Sequence, residues 1–109
     1  MKLDQQRCTP CTEGTPALTE SDARALLQQV PGWTLSPDGK WLMRRFKFPD
    51  FIQALAVVNR IGDLAEAEQH HPDLKLGWGY VEAHLQTHAA HGLHKNDFIL
   101  AAKINALNA

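Results

Sequence analysis

The chain has little of what would mark a membrane or nucleic-acid protein. No apolar run approaches the roughly 20 residues that a bilayer-spanning helix needs. There is no basic surplus: 11 Lys and Arg stand against 12 Asp and Glu, for a net charge of −1. A general nucleic-acid binder would carry a basic face, so that class is set aside. The opening MKLDQQRCTPCTEG has no apolar centre and is not a secretory signal, which makes the cytoplasm the expected location. Repeats and low-complexity tracts are absent. Cysteine is scarce too, with only Cys8 and Cys11, in a C-x-x-C. A zinc site would need two more ligands, and no other cysteine supplies them. A redox pair belongs at a strand–helix junction, not in a polar leader. Two free thiols are the preferred reading, with a histidine-assisted metal site left open.

What is there suits one globular domain. The 109 residues suffice for one core and not for two. With 44% hydrophobic and 21% charged residues the chain is globular and not disordered. Residues 1–17 read as a flexible leader punctuated by Pro10, Gly14 and Pro16, and residues 18–109 as the domain. Thr19 and Asp22 match a capping box ahead of the stripe Ala23, Leu26, Leu27 and Val30, which Pro31-Gly32 ends. Residues 33–35 and 41–48 form an expected hairpin around the turn Ser36-Pro37-Asp38-Gly39. Pro49-Asp50 opens the longest helix, with Phe51, Ala54, Leu55, Val58, Ile61, Gly62 and Ala65 on one stripe and an end near Gln69.

A short extended piece follows at 74–79. Residues 80–87 then alternate, with Val81, Ala83, Leu85 and Thr87 on one side. The last helix starts near Asn96 and is apolar on two sides. One side would cover the sheet; the other would meet a second subunit or the domain's own interior. The order predicts an α+β domain with helices on one face of an antiparallel sheet.

All six histidines lie between positions 70 and 94. Histidine both gives and takes protons near neutral pH, so the clustering asks for a reason. Metal is disfavoured, because His84 and His88 converge at i, i+4 only on a helix and His84 falls on a strand. Acid–base chemistry fits better. His70-His71-Pro72 ends the long helix and His88 the long strand, where a rigid scaffold presents side chains to a cleft. Glu66, one turn earlier, would orient His70; Asp97, opening the last helix, would hold its N–H groups or a histidine. Surface placement is the preferred reading of His84, His91 and His94 individually. For His70, His71 and His88 the residues alone leave both readings open.

The spacing of Glu66, His70-His71-Pro72, Trp78, Thr87-His88 and Asp97 resembles the signature of the pterin-4a-carbinolamine dehydratase family, and the likeness extends over about residues 18–107. The resemblance implies a four-stranded antiparallel sheet with three helices on one side. It implies a homodimer or homotetramer, and His70, His71 and His88 lining a pterin site. The implied reaction removes water from 4a-hydroxytetrahydropterin to give quinonoid dihydropterin, in tetrahydropterin recycling beside a pterin-dependent hydroxylase. No redox change occurs, so neither metal nor other cofactor is expected. Acid–base help from imidazoles is worth roughly 10²–10⁴ in rate. His70 and His88 are the expected acid/base pair, with His71 positioning the ring or exchanging roles with His70. Glu66, Gln69, Pro72, Trp78, Thr87 and Asp97 are expected to bind substrate or support the histidines. Trp33 and Trp78 fit ring stacking and core packing equally.

Three positions depart from the family pattern: Gln69 for Asp or Asn, Leu74 for an aromatic, and His94 for a capping Ser or Thr. The last would cost about 1 kcal/mol unless Asn96 or Asp97 takes over the capping. The alternative from another class is a protein-interaction or dimerisation cofactor on the same fold, which turnover would distinguish.

Overall fold

The computed structural model describes residues 2–107. Its elements run α1 (Glu20–Leu27), β1 (Thr34–Leu35), β2 (Leu42–Lys47), α2 (Phe51–Glu68), β3 (Asp73–Gly77), β4 (Tyr80–Leu85) and α3 (Lys95–Leu107). Single 3₁₀ turns lie at Leu3–Gln5 and His88–Ala90. The strands form one antiparallel sheet in the order β1-β2-β4-β3. This is the expected α+β architecture of three helices and a four-stranded sheet.

Register explains why one face is apolar. Leu42 pairs with Leu85, Phe46 with Val81, and Leu74 with Ala83. Side chains alternate along a strand, so these all point the same way. Leu42, Phe46, Ala83 and Leu85 meet Ile61 of α2 and Phe98, Leu100 and Ile104 of α3 in one buried cluster, with Leu74 packed against it. Met43, Arg45, Lys47, Tyr80, Glu82 and His84 fall on the opposite face. Arg44 breaks the pattern, since it shares parity with Leu42 and Phe46. Its guanidinium lies 4.5 Å from the Phe46 ring centre and donates to Asn105 Oδ1 at 2.6 Å. The guanidinium is therefore hydrogen-bonded to a neutral amide, and its flat face covers an aromatic ring.

The helix caps follow the sequence closely. Thr19 Oγ1 accepts Asp22 N–H at 3.1 Å, and Asp50 Oδ1 accepts Gln53 N–H at 2.9 Å. Proline therefore stands just before the α2 cap, not inside the first turn. The inward stripe of α2 is Ala54, Val57, Ile61 and Ala65, with Phe51 largely exposed. At the α3 start Asp97 joins the cap, as the expectation allowed, and His94 itself takes part. His94 Nδ1 accepts Asn96 N–H at 3.1 Å, and Asp97 Oδ2 accepts His94 N–H at 3.0 Å. Histidine thus does the job of a capping hydroxyl, in a reciprocal box.

The leader lies against the domain. Leu3 is buried in the core, and Lys103 Nζ donates to Asp4 O at 3.2 Å. The Leu3–Gln5 turn packs on α3 and covers part of that helix's second apolar side. Among the described residues no helix is long and apolar enough to cross a membrane.

Candidate active site

Three elements end at one place. α2 stops at Gln69, whose backbone is left-handed at φ 53°. That conformation costs a side-chain-bearing residue about 1–2 kcal/mol, and it turns the chain sharply off the helix axis. Gln69 Nε2 donates back to Glu66 O at 2.6 Å and steadies the turn. His70 and His71 leave the helix in different directions as a result. β4 ends at Leu85, so His88 does not end the strand as expected but opens the 3₁₀ turn that follows Gln86 and Thr87. The first turn of α3 brings Asn96 and Asp97 against both.

Asp97 is the centre of this junction. It is fully buried, and its carboxylate has three partners. Oδ1 meets His70 Nε2 at 2.6 Å; Oδ2 accepts from Thr87 Oγ1 at 2.9 Å and from His94 N at 3.0 Å. An ionised carboxylate can only accept, so against it a neutral His70 would carry its proton on Nε2 and its lone pair on Nδ1. The His70 side chain is 12% exposed, so the pair is largely shielded from solvent. His71 Nε2 meets Glu66 Oε2 in a second, well-exposed pair. The carboxylate expected to orient His70 therefore holds His71, and Asp97 holds His70.

A cavity of about 340 Å³ opens at this junction. Gln69, His70, His71, Thr87 and His88 line it, with Asp73, Gln86, Ala89 and Asn96 and the leader residues Thr9, Pro10 and Cys11. Its size lies at the small end of small-molecule sites, roughly 300–1,000 Å³. Asp97 sits behind it, holding His70. Pro72 is half-buried beside it and is not among the lining residues. Trp78 is 73% exposed on the β3–β4 turn, and the structure does not bring it to the cavity. Trp33 is core, donating through Nε1 to Asn105 Oδ1 at 2.8 Å. The aromatic beside the histidines is Trp41, whose ring stands edge-on to His84 and His88 at 6.4 and 6.5 Å. No spacing rule singled it out.

A separate hollow of about 300 Å³ lies between α1 and the β1–β2 turn, with His91 as its sole histidine. His91 pairs with Glu13 at an exposed site. Of these two, the junction gathers several imidazoles around a buried carboxylate, so it is the candidate active site. Among the described residues no three His, Cys, Asp or Glu side chains are grouped to hold a metal ion.

Residues 16–107 match the family model described as pterin 4 alpha carbinolamine dehydratase. The chain belongs to this family. Relatives ascribed to the pterin-4-alpha-carbinolamine dehydratases agree along the full length. One from Halorhodospira halophila is 51% identical, with all of both chains covered. Another from Methylococcus capsulatus is 48% identical over 98% of this chain and 94% of its own. A crystal structure described as a transcriptional coactivator/pterin dehydratase from Brucella melitensis superposes with a TM-score of 0.81 at 31% identity. That likeness covers 85% of this chain and 99% of the other. A pterin dehydratase-like protein described as a RuBisCO assembly factor of the alpha-carboxysome reaches 0.60 at 25% identity, over 70% and 88% of the two chains. Within this pterin dehydratase-family chain, the histidine junction lies inside the matched residues, and Thr9, Pro10 and Cys11 lie outside them.

Proposed function

We propose that this chain is a dehydratase that converts 4a-hydroxytetrahydropterin to quinonoid dihydropterin and water. The observation that carries the proposal is the gathering of His70, His71 and His88 on one small cavity, with His70 pinned by buried Asp97. The substrate has a hydroxyl on C4a and a hydrogen on N5. Elimination needs a proton delivered to the hydroxyl and a proton taken from N5. The C4a–O bond breaks, C4a=N5 forms, and one water leaves.

His70 is the assigned base. Asp97 fixes its tautomer and stabilises the imidazolium that forms, as a carboxylate behind a histidine does in general. His88 is the assigned acid, since it is exposed and can recover its proton from solvent. His71, held by Glu66, positions the ring. The chemistry calls for no electron transfer, so the proposal includes no cofactor. It places the enzyme in the cytoplasm as a homo-oligomer, serving a pterin-dependent hydroxylase.

The test is the dehydration rate of freshly generated 4a-hydroxytetrahydropterin, with wild type and His88→Ala. A large acceleration that falls at least about 100-fold in the variant is expected. A folded wild type that does not exceed the spontaneous rate would overturn the proposal. The descriptions of the two solved relatives, a coactivator and an assembly factor, would then favour an interaction protein on this fold.

A further inference from the structure

The reaction does not explain how the leader is held. Residues 8–11 run from the end of α2 to the histidine cavity as a strap, fixed by groups far away in sequence. Cys8 N–H donates to Glu68 Oε1 at 2.8 Å. Glu68 is itself nearly buried and lies 3.8 Å from Lys103 Nζ. Cys8 Sγ reaches Asn96 O at 3.6 Å. The main fastening is the side chain of Asn96, which is buried. Its Oδ1 accepts Thr9 N–H at 2.9 Å, and its Nδ2 donates to Thr9 O at 2.6 Å. One amide thus satisfies both backbone groups of one residue, as a neighbouring strand would. Nδ2 also lies 3.4 Å from Cys11 Sγ.

The strap faces the chemistry. Thr9, Pro10 and Cys11 line the cavity together with His70, His71 and His88. Asn96, which holds the strap, is the chain neighbour of Asp97, which holds His70. One helical turn therefore sets the distance between the strap and the imidazole.

We propose that Thr9–Cys11 forms a substrate-binding wall of the histidine cavity, and that Asn96 is the positioning residue that latches it there. The inference rests on the pterin reading above and deepens it. A wall held by two hydrogen bonds to one buried amide narrows the site around a flat ring and limits water on one side. Pro10 adds a rigid apolar surface that needs little ordering when the ring binds. The wall acts on binding more than on proton transfer, since none of its groups holds a histidine.

The experiment compares wild type with Asn96→Ala, which keeps Asp97 and a good helix former at position 96. Three quantities are measured: kcat and KM for dehydration, the Kd of a non-reactive 7,8-dihydropterin, and the rate at which iodoacetamide alkylates Cys8. Two lost hydrogen bonds predict a rise of about tenfold in KM and Kd, with kcat within about threefold and an unchanged pH profile. Cys8 should alkylate about tenfold faster as the strap opens more often. Pro10→Gly, at an exposed position, should move KM in the same direction and guards against a variant that does not fold. A folded Asn96→Ala with unchanged KM and Kd overturns the inference and leaves the dehydratase reading standing. A loss of kcat at unchanged KM also overturns it, because Asn96 would then act through Asp97. Wild type that neither turns over nor binds the dihydropterin overturns both.

Discussion

Asp97→Asn is the sharpest single test of the site, because it keeps shape and removes charge. In the wild type one carboxylate oxygen receives His70 and the other receives Thr87 Oγ1 and His94 N. Asparagine has one oxygen and one NH₂. The two donors on the Oδ2 side both need an acceptor, so the amide oxygen goes there. The NH₂ then points at His70 Nε2 and must donate to it. His70 is driven to the opposite tautomer, with its proton on Nδ1 and its lone pair turned away from the reaction. A general base lost in this way costs roughly 10²–10⁴ in kcat, or about 3–5 kcal/mol in the barrier.

Stability changes less. The three charge-assisted hydrogen bonds become neutral ones, a loss of roughly 1–2 kcal/mol in all. For a domain of this size that lowers Tm by about 5–15 °C, and the variant stays folded at 25 °C. The assay is single-turnover dehydration of 4a-hydroxytetrahydropterin, with circular dichroism and Tm on the same sample. Adding His70→Ala to Asp97→Asn should cost little more than His70→Ala alone, since both act through one imidazole. A folded Asp97→Asn with kcat within threefold of wild type would refute the reasoning. So would a double variant whose losses simply multiply.

Two further outcomes follow from placement and burial. Trp78→Ala should leave kcat and KM within about twofold, because the ring is on an exposed turn, whereas Trp41→Ala should lower kcat severalfold by freeing His88; steady-state kinetics on both variants decides. Burial, and then the neighbouring Glu68 carboxylate, push the Cys8 thiol up to about 12 from an ordinary 9.0. The folded form therefore holds its proton where the unfolded chain has lost it. The associated stability is fully present below pH 9 and declines as pH rises toward 12. Urea unfolding at pH 8 and pH 10.5 should show wild type losing more stability than Cys8→Ala, and equal losses would contradict the assigned burial.

Local patterns carried most of the fold. Alternation at 80–87 placed β4, which ends two residues short at Leu85, and Thr19 and Asp50 announced their helices. The histidine-rich junction was also legible, since chemistry-bearing residues sat at the ends of packed elements. What failed was the pairing inside it. Glu66 and His70 share a helix face only while the helix continues, and the left-handed Gln69 breaks that register between them. Helical spacing therefore pointed Glu66 at the wrong imidazole. The leader's fastening was not legible for a different reason. Its partners lie 60 to 99 residues away, as in Cys8 with Glu68 and Asp4 with Lys103, and no local pattern encodes them. Trp41 went unnoticed because an aromatic at the start of a strand is ordinary core material by type. Only the cross-strand register sets it beside His84 and His88.

The Asn96–Thr9 pairing also bears on the order in which the molecule is built. The β1–β2 and β3–β4 hairpins join near neighbours and close small loops, which a chain does quickly. Thr9 and Asn96 are 87 positions apart, so their meeting must wait for both ends of the chain to be brought together. The histidine junction is therefore among the last parts of the protein to be completed. A molecule with its sheet formed and its leader still undocked would have the imidazoles in place but only part of the cavity around them.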